Sequence, residues 1–584
     1  MASSGAYSAE TMPVNSTPAL RTPSEKTDIP ESEQGVQSQN EIIEVYPSGP
    51  ALTAISIGLF LAILCFGLDR SILATAIPKI TSEFNSLSDV AWYGSAYLFT
   101  QCSFQLLFGK LYAEYSIKWI FLIGLAIFEV GSVVCAAAPN SVVLIVGRAV
   151  SGVGAAGLMT GALIIITKSV PLHKRPTFTA AIGAAAGVSQ VIAPTLGGVF
   201  VDKATWRWCF WINVPLGGVT FAVILLFLRL PEQAKMEPRG FKEFMDNFDL
   251  VGTMLLIPWV ICLLLALQWG GTEYAWSNWR TILCWCIFAL CFLLWGFVQY
   301  REGDKATVPL RIMSQRTMIA SCWTILLLFS LLFIDVYYIP IWLQAVKNHS
   351  AYKSGIDLLA SSASMSVATI VSGILTSQIG YYVPQIIASS VVSSVAGGLI
   401  YSFTVDTDTA FWYGLLRFPI QSAQSANICL RAASLVLMGL GVGLGGQQCI
   451  IVAQTVFKGR DIALATSVLV FLQSLGGTVF LAVAQNIFSS RLVAELRRNV
   501  PNVNPAMVIN AGASGLVDSM RKTYPNSVDG IIESYNRALQ NVFLIATVLG
   551  CLTVLGVGFF EWKSVKENKP KTDAKSQTDG DTEK

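Results

Sequence analysis

Four ionisable side chains lie inside long apolar stretches of this sequence, where a charge is costly. Asp69 lies in the segment LDRSILATAIP, while Glu129, Asp335 and Arg148 lie in three other apolar stretches. A charged side chain at the centre of a membrane helix costs at least about 2.5 to 3.5 kcal/mol, so such residues are candidates for function by default. The chemistry open to them is binding and release of protons at the carboxylates under the control of the arginine, because a nearby cation holds a carboxylate ionised.

The elements that must position these charges are about fourteen apolar blocks of roughly 20 residues, the length that crosses a bilayer as a helix. Of 584 residues, 53% are hydrophobic and 13% are charged, compared with about 25% charged in a soluble domain. The sequence therefore predicts an all-α membrane protein. The blocks run near 51–78, 90–109, 119–138, 141–167, 178–200, 209–229, 249–268, 281–300, 318–343, 356–376, 383–403, 435–457, 463–488 and 541–561.

The four charges are predicted to lie at similar depths in the membrane. A rise of about 1.5 Å per residue puts the three carboxylates roughly 12 to 14 Å, and Arg148 roughly 10 Å, below the outer face. They could form one network, with Asp69 and Arg148 at the core of a coupling machinery and with Glu129 and Asp335 as further proton carriers. The alternative is a set of permanent ion pairs that only hold helices together. Arg70 is turned about 100° away from Asp69, and its role stays open.

Several classes of function and site find no support in the sequence. A net charge of +3 over this length leaves no basic domain, so we expect no nucleic-acid partner. The two histidines cannot form a zinc site alone, and twelve mostly isolated cysteines are typical of small buried side chains. No phosphate-binding loop or nucleophile motif occurs. We therefore expect no metal, no cofactor and no enzymatic activity.

The positions of Lys and Arg predict the orientation of the chain in the membrane. Both residues accumulate after even-numbered blocks, which places both termini in the cytoplasm. Residues 1–50 and 562–584 are polar and are predicted to be disordered cytoplasmic tails. The long loop 489–540 is predicted to be external. Asn348 lies in a glycosylation pattern in another predicted external loop, close to the membrane end of its helix, where the modifying enzyme has poor access.

Several motifs resemble those of a known transporter family. LIVGRAVSGVGAAG from Leu144 resembles the fourth-span motif of the major facilitator superfamily, and GAAAGVSQVIAPTLGGV from Gly183 resembles its antiporter motif. LDRSILATAIP, WRWCFWINVPLGG from Trp206 and LALQWGGTEYAW from Leu265 are similar to signatures of the fourteen-span drug:proton antiporters. A weak repeat between the segments after Gly109 and Gly373 agrees with a transporter built from two related halves. The resemblance covers roughly residues 50–560 and is strongest to fungal exporters of toxins and drugs.

The resemblance implies a specific architecture and activity. Two six-helix bundles, 51–229 and 318–561, would flank two extra helices within 230–317. The implied activity is secondary export of an amphipathic toxin, metabolite or drug in exchange for protons. The implied partners are this small organic substrate, protons and the lipid bilayer, for a monomer in the plasma membrane or in a vacuolar or vesicle membrane. A siderophore-type carrier and a membrane sensor that does not transport are the alternatives.

The residues of the fifth block suggest how the halves move, and other polar residues suggest a substrate path. Small residues permit close helix contact, and a proline bends a helix. We therefore expect close helix contacts at Gly183, Gly187, Gly197 and Gly198 and a bend at Pro194, although a simple packing groove would need the same residues. Aromatic and amide groups suit a large apolar ligand. The candidates, which helix packing could equally satisfy, are Tyr97, Gln101, Gln105, Gln190, Gln447, Gln448 and Gln473.

Two segments depart from the family pattern. The loop motif at Gly109, Lys110 and Lys118 has Ala113 and Glu114 at positions where many relatives carry an acidic and then a basic residue. The charge relay usual there cannot operate in its common form. Residues 415–436 lengthen the approach to the twelfth block, either as a true insertion or as an error in the gene model.

Overall fold

The computed structural model describes Pro47 and residues 49–86, 89–229, 249–271, 273–405, 423–513 and 515–566. Across these ranges the chain is helical and forms no β-strand, which confirms the all-α class. The long helices are α1 (Pro50–Phe84), α2 (Val90–Glu114), α3 (Ile117–Ala136), α4 (Ser141–Ser169), α5 (Arg175–Lys203), α6 (Asn213–Phe227), α7 (Leu250–Trp269), α8 (Trp279–Glu302), α9 (Arg316–Ala345), α10 (Ala351–Ile379), α11 (Val383–Tyr401), α12 (Ala423–Val456), α13 (Arg460–Asn499) and α14 (Val528–Val557).

Thirteen of the described helical segments are long and apolar enough to cross a membrane. The remaining long helix, α2, has 25 residues and carries Gln101, Gln105 and Lys110, all of which are buried against protein. A helix that faces protein on its polar side does not need an apolar residue at every position. Together with the thirteen segments, α2 accounts for the fourteen predicted blocks.

Side chains at the helix ends explain where several helices begin. The side-chain oxygen of Asn140 accepts a hydrogen bond from the backbone N–H of Val143 at the start of α4, and a carboxylate oxygen of Asp249 accepts one from Gly252 at the start of α7. These caps satisfy backbone donors that the first turn leaves free. Pro194 stands inside α5, where its ring removes a backbone donor and favours a bend.

The helices form two groups that touch along a limited seam. Helices α1 to α6 contact one another, and so do helices α9 to α14. The two groups meet mainly where α2 contacts α13 and where α5 contacts α10 and α12. Helices α7 and α8 pair with each other, and α7 also contacts α2 and α13. We call the first group the N-half and the second group the C-half.

Three helix boundaries differ from the sequence prediction by more than ten residues. Helix α13 continues to Asn499 and α14 begins at Val528, so most of the predicted loop 489–540 is helical, with two short helices, Pro505–Ala511 and Leu516–Thr523, between them. Helix α12 begins at Ala423, ahead of the predicted start, and includes the last part of the lengthened segment 415–436. Residues 415–422 of that segment and most of both predicted tails lie outside the described residues.

Candidate functional site

A buried ion pair joins α1 to α4 in the middle of the N-half. Nη1 of Arg148 lies 2.6 Å from Oδ2 of Asp69, and both side chains are almost completely buried. Nε of Arg148 donates to the backbone oxygen of Tyr93 at 3.0 Å, and the guanidinium stacks on the ring of Tyr97, 4.4 Å from its centre. A charge pair away from water interacts more strongly than one at a surface, and its mutual neutralisation offsets part of the cost of burial.

Asn213 completes the ion pair from a third helix. Its amide nitrogen donates to Oδ1 of Asp69 at 3.2 Å and to Oγ of Ser132 at 3.2 Å. Asn213 is fully buried at the start of α6, directly after the short helix Trp208–Trp211. Sequence reasoning did not select this residue, although an amide within the apolar segment WINVPLGG was the signal that could have found it.

Glu129 of α3 lies beside the ion pair without joining it. Neither of its carboxylate oxygens has a hydrogen-bond partner among the described residues. Asp69 is near enough for the two negative charges to repel each other. A Cβ atom added at Gly217 of α6 would collide with the Glu129 carboxylate, so the absence of a side chain there makes room for it. Gly217 is therefore a second residue of this site that the sequence analysis missed.

Asp335 of α9 does not reach the ion pair. It is 2% exposed, and neither of its carboxylate oxygens has a partner among the described residues. The single network expected from similar depth is therefore absent, and only the three N-half charges come together. Depth along a helix fixes the level of a side chain but not the direction in which it points, which depends on rotation of about 100° per residue.

Glycines set the closest approaches between the two halves. A Cβ atom at Gly183 would collide with Gln447 of α12, and one at Gly187 would collide with Ser366 of α10. Gly197 instead packs on Thr75 of α1, within the N-half. An added Cβ at Gly198 would meet nothing within 4 Å, so the close packing expected there is absent. Helix α5 thus contacts both halves through small residues.

A charged cluster ties the halves together at the end of α2 that is predicted to be cytoplasmic. The Lys110 ammonium donates to the backbone oxygen of Lys305 at 2.7 Å and lies 3.8 Å from Glu114. Glu114 forms an ion pair with Arg460 at the start of α13. A Cβ at the adjacent Gly109 would collide with Ser467 of α13. Glu114, the residue at which this chain departs from the family pattern, therefore forms a link between the two halves.

The cluster continues on the C-half side and has a separate lysine nearby. Nη1 of Arg311 lies 2.8 Å from Asp461. Lys118 takes no part, because its ammonium donates to the backbone oxygen of Leu225 at 2.7 Å within the N-half.

Two of the candidate amides are engaged within one half. The Gln105 amide donates to the backbone oxygen of Ala156 at 2.9 Å and to the Thr160 hydroxyl. The Gln448 amide donates to Ser372 at 2.7 Å and accepts from Thr376 at 3.0 Å. Hydrogen bonds of this kind satisfy buried polar groups in helix packing.

The other polar candidates lie nearer the seam between the halves. The Gln101 amide donates to Ser474 of α13 at 3.5 Å, and Gln447 packs on Gly183 of α5. Gln190 and Gln473 are partly exposed, and the Tyr97 hydroxyl is buried without a partner among the described residues.

The predicted glycosylation residue lies at the protein surface. Asn348 is exposed and adopts a left-handed backbone conformation, with φ of 51°. Within the described ranges, no group of three or more His, Cys, Asp or Glu side chains is placed to hold a metal ion.

Comparisons with known proteins agree with the motifs. A family model described as Major Facilitator Superfamily matches residues 59–481. The efflux pump aflT of Aspergillus parasiticus is 43% identical over 523 residues, which cover 89% of this chain and 98% of that protein. The MFS-type transporter phomT of Diaporthe leptostromiformis is 45% identical, with 90% and 85% covered.

Solved structures share the fold at low sequence identity. The proton:xylose symporter XylE aligns with a TM-score of 0.53 at 12% identity, covering 86% of this chain and 94% of that one. The human organic anion transporter MFSD10 aligns with a TM-score of 0.52 at 13% identity, covering 86% and 100%. At these identities the likeness extends to the fold alone.

Proposed function

The chain belongs to the major facilitator superfamily of membrane transporters, and on this premise we propose that it exports an amphipathic organic compound in exchange for protons. Membership makes the chain a multi-pass membrane transporter and not an enzyme. Export is supported by relatives whose names describe efflux pumps, such as aflT and the pump MFS1 of Arthroderma benhamiae, 44% identical over 524 residues. We further propose that it acts as a monomer in the plasma membrane.

The observation that carries the proton-exchange proposal is the buried Asp69–Arg148 pair. While Asp69 is ionised, Arg148 holds it at 2.6 Å. A proton on Asp69 removes that attraction and frees a guanidinium that also contacts the Tyr93 carbonyl and the rings of Tyr97 and Phe210. Because the pair lies inside a low-dielectric bundle, this single proton changes the local electrostatic energy far more than it would in water.

Glu129 provides a second carboxylate that can bind the proton. Its carboxylate is close to Asp69 and has no hydrogen-bond donor among the described residues, so two negative charges there repel each other. Two carboxyl groups in one site bind the first proton readily, because protonation of either one relieves the repulsion. We assign Glu129 the role of exchanging protons with Asp69.

Alternating access requires the halves to separate along the seam. Close contacts at Gly183 and Gly187 allow α5 to rock against α12 and α10 without long side chains interlocking. The Lys110–Glu114–Arg460 cluster spans the seam at the predicted cytoplasmic end, so it must break when that side opens. The proposed cycle therefore involves charged contacts at two places, the Asp69–Arg148 pair inside the N-half and the cluster at the predicted cytoplasmic end of the seam.

The test is transport into sealed inverted vesicles that carry an imposed proton gradient. A panel of fluorescent drugs and fungal metabolites is compared between the native chain and Asp69→Asn. We expect gradient-driven accumulation by the native chain and its loss in the variant, while exchange of substrate across the membrane at equilibrium continues. Glu83→Gln is the matched control, because it removes an exposed carboxylate from the same helix.

Three results would count against the proposal. Accumulation that ignores the gradient would indicate a facilitator. An Asp69→Asn variant that accumulates substrate normally would show that Asp69 does not couple protons. Movement only in the opposite direction would favour a siderophore-type importer.

A further inference from the structure

Arg70 of α1 is a second arginine within the membrane helices, in addition to Arg148 of α4. It is partly buried, and it points away from the ion pair toward the C-half. Its guanidinium lies over the ring of Phe333 on α9, 4.3 Å from the ring centre. The ring is held from another side by α13, since a Cβ atom at Gly477 would collide with it. The contact therefore crosses the seam between the halves at the level of Asp69.

No acidic side chain neutralises Arg70 within the described part of the chain. It forms no ion pair or hydrogen bond there, and the groups that act on it electrostatically are the Tyr97 hydroxyl and the Cys102 thiol. Both groups are ordinarily uncharged near neutral pH. The adjacent Asp69 is already bound by Arg148 and Asn213. A cation held among protein atoms without a counter-ion is costly, and stacking on an aromatic ring offsets only part of that cost.

Phe333 and Tyr337 form an aromatic wall next to this cation. They are separated by one helical turn and so share one face of α9. Tyr337 is 52% exposed, and Phe333 and Arg70 are partly exposed. Because Arg70 and Phe333 meet across the seam, their accessible surface borders the space between the halves. Arg70, Phe333 and Tyr337 therefore present a cationic fork and two rings to one space between the halves.

We propose that this space is the substrate subsite and that Arg70 selects an aromatic compound with an acidic group, such as a carboxylate. The inference rests on the proposed export function and names its substrate class. Arg70 donates two parallel hydrogen bonds to the acidic group, a geometry that guanidinium forms readily with planar anions. Phe333 and Tyr337 contact the rings of the same compound.

The same assignment explains why a lone arginine is kept at the seam. A bound anion supplies the missing counter-ion, so the cost of burying Arg70 in the empty transporter is recovered when substrate binds. Because α1 and α9 belong to different halves, a ligand held by Arg70 and the two rings contacts both halves at once. Binding energy is thereby directed at the seam that must rearrange during transport.

The experiment measures how charge on a ligand affects binding at equilibrium. The probes are pyrene-1-butyrate, pyrene-1-butanol and pyrene-1-butylamine, which share one aromatic ring system and differ in charge. Binding to the full chain in detergent micelles is followed by energy transfer from tryptophan to pyrene. We expect the native chain to bind the butyrate about tenfold or more tightly than the alcohol, as charge-assisted hydrogen bonds in a partly dry site give.

Three variants separate selection of the anion from a structural role of Arg70. Arg70→Gln is expected to lower the affinity for the butyrate to that for the alcohol, which itself changes less than about twofold. Arg70→Lys keeps the charge without the planar fork, so it should retain an intermediate preference. Arg280→Gln is the matched control, because Arg280 also stacks on a ring, that of Tyr274 at 4.9 Å, in a different part of the chain.

Clear results would overturn the assignment. Equal affinity for the three probes, a preference for the amine, no binding of the butyrate above protein-free micelles, or an anion preference that survives in Arg70→Gln would each do so. A role as a latch between the halves predicts that all three affinities change together. The binding experiment applies no proton gradient, so its failure would overturn only the role of Arg70 and not the proposal of proton-driven export. Conversely, if the vesicles showed transport independent of the gradient while the chain still preferred the butyrate, only the proposal of proton-driven export would fail.

Discussion

The two halves of the molecule handle buried polarity in different ways. In the N-half, Arg148 and Asn213 both bond to Asp69, and Glu129 lies next to them. In the C-half, neutral groups make the contacts between α10, α11 and α12. The Ser372 hydroxyl donates to the Leu444 carbonyl at 2.7 Å, and Ser389 donates to Gly441 at 2.6 Å.

Under the proposed mechanism, this difference gives the two halves different roles. A paired charge that a proton can break is a switch, whereas hydroxyl-to-carbonyl bonds between small residues keep their form at any ordinary pH. The contrast suggests that the N-half responds to protons and that the C-half provides the surface against which it moves. Two places in the C-half can break this division: Asp335, which is buried without a partner among the described residues, and the nearly buried contact between His349 and Asp357 at 3.1 Å.

The largest expected effect comes from removing one member of the N-half pair. Arg148→Ala leaves Asp69 buried without its cation, and breaking a buried pair costs about 3 to 5 kcal/mol. We expect a marked loss of thermal stability together with loss of gradient-driven export. The double variant Asp69→Asn with Arg148→Gln should recover most of the stability and none of the driven export. Recovery of export in the double variant would show that the pair is structural.

A smaller loss is expected when the seam between the halves is obstructed. Gly187→Val places a branched side chain against Ser366, so α5 and α10 can no longer approach. We expect transport in vesicles to fall about tenfold or more, since core positions tolerate added volume poorly. Gly198→Val is the control, because open space surrounds that position. Equal losses in the two variants would mean that valine disturbs α5 itself and not the seam.

The C-half carboxyl should matter less for coupling than the N-half pair. Asp335→Asn removes an ionisable group from an apolar site, so thermal stability should rise or stay unchanged. If Asp335 is a further proton carrier, driven export falls, but less than in Asp69→Asn. Vesicle transport and melting of the purified variants are the measurements. Complete loss of driven export in Asp335→Asn would break the contrast between the halves.

The smallest effect is expected at Glu83, beyond the membrane-spanning part of α1. The Trp206 indole donates to it at 2.6 Å and Arg207 at 2.9 Å, and these contacts lower the pKa of the Glu83 carboxyl. A lowered folded-state pKa adds stability above the unfolded value of about 4.3 and loses it as pH falls through the folded value. Melting followed from pH 6 down to about pH 3 should therefore decline slightly more in the native chain than in Glu83→Gln. Solvent screening at this exposed pair keeps the difference small.

Much of the fold follows from the sequence, because membrane helices can be recognised by their length and apolar composition. The predicted blocks coincide with helices, including α2, whose polar side chains point into protein. The early start of α14 at Val528 was not predicted, because its first turns are polar and pack on the end of α13 through Ser534 and Asn499. Composition alone cannot distinguish such a polar helix from a loop.

Less of the site could be predicted, since it depends on the rotation of each helix. Asp69 and Arg148 were placed at one depth and do meet. Asp335 is predicted at a similar depth but does not join them. It lies on α9 of the C-half, and neither of its carboxylate oxygens has a partner among the described residues. An amide in an apolar segment could have drawn attention to Asn213, but the bond from Asn213 to Asp69 and the room that Gly217 leaves for Glu129 depend on how α6 packs on its neighbours. Their roles in coupling remain predictions.

The length of α13 has a practical consequence for imaging this protein by electron microscopy. Its 40 residues extend about 60 Å, roughly twice the thickness of the hydrocarbon layer. The projecting end is braced against α14, where Asn499 donates to Ser534 at 3.0 Å and Arg537 lies 3.7 Å from Glu495. A rigid feature outside the micelle helps to align particles in electron microscopy, and this end of α13, which we call the post, is such a feature. An antibody fragment raised against the post would mark one side of the membrane and leave the seam between the halves free to move.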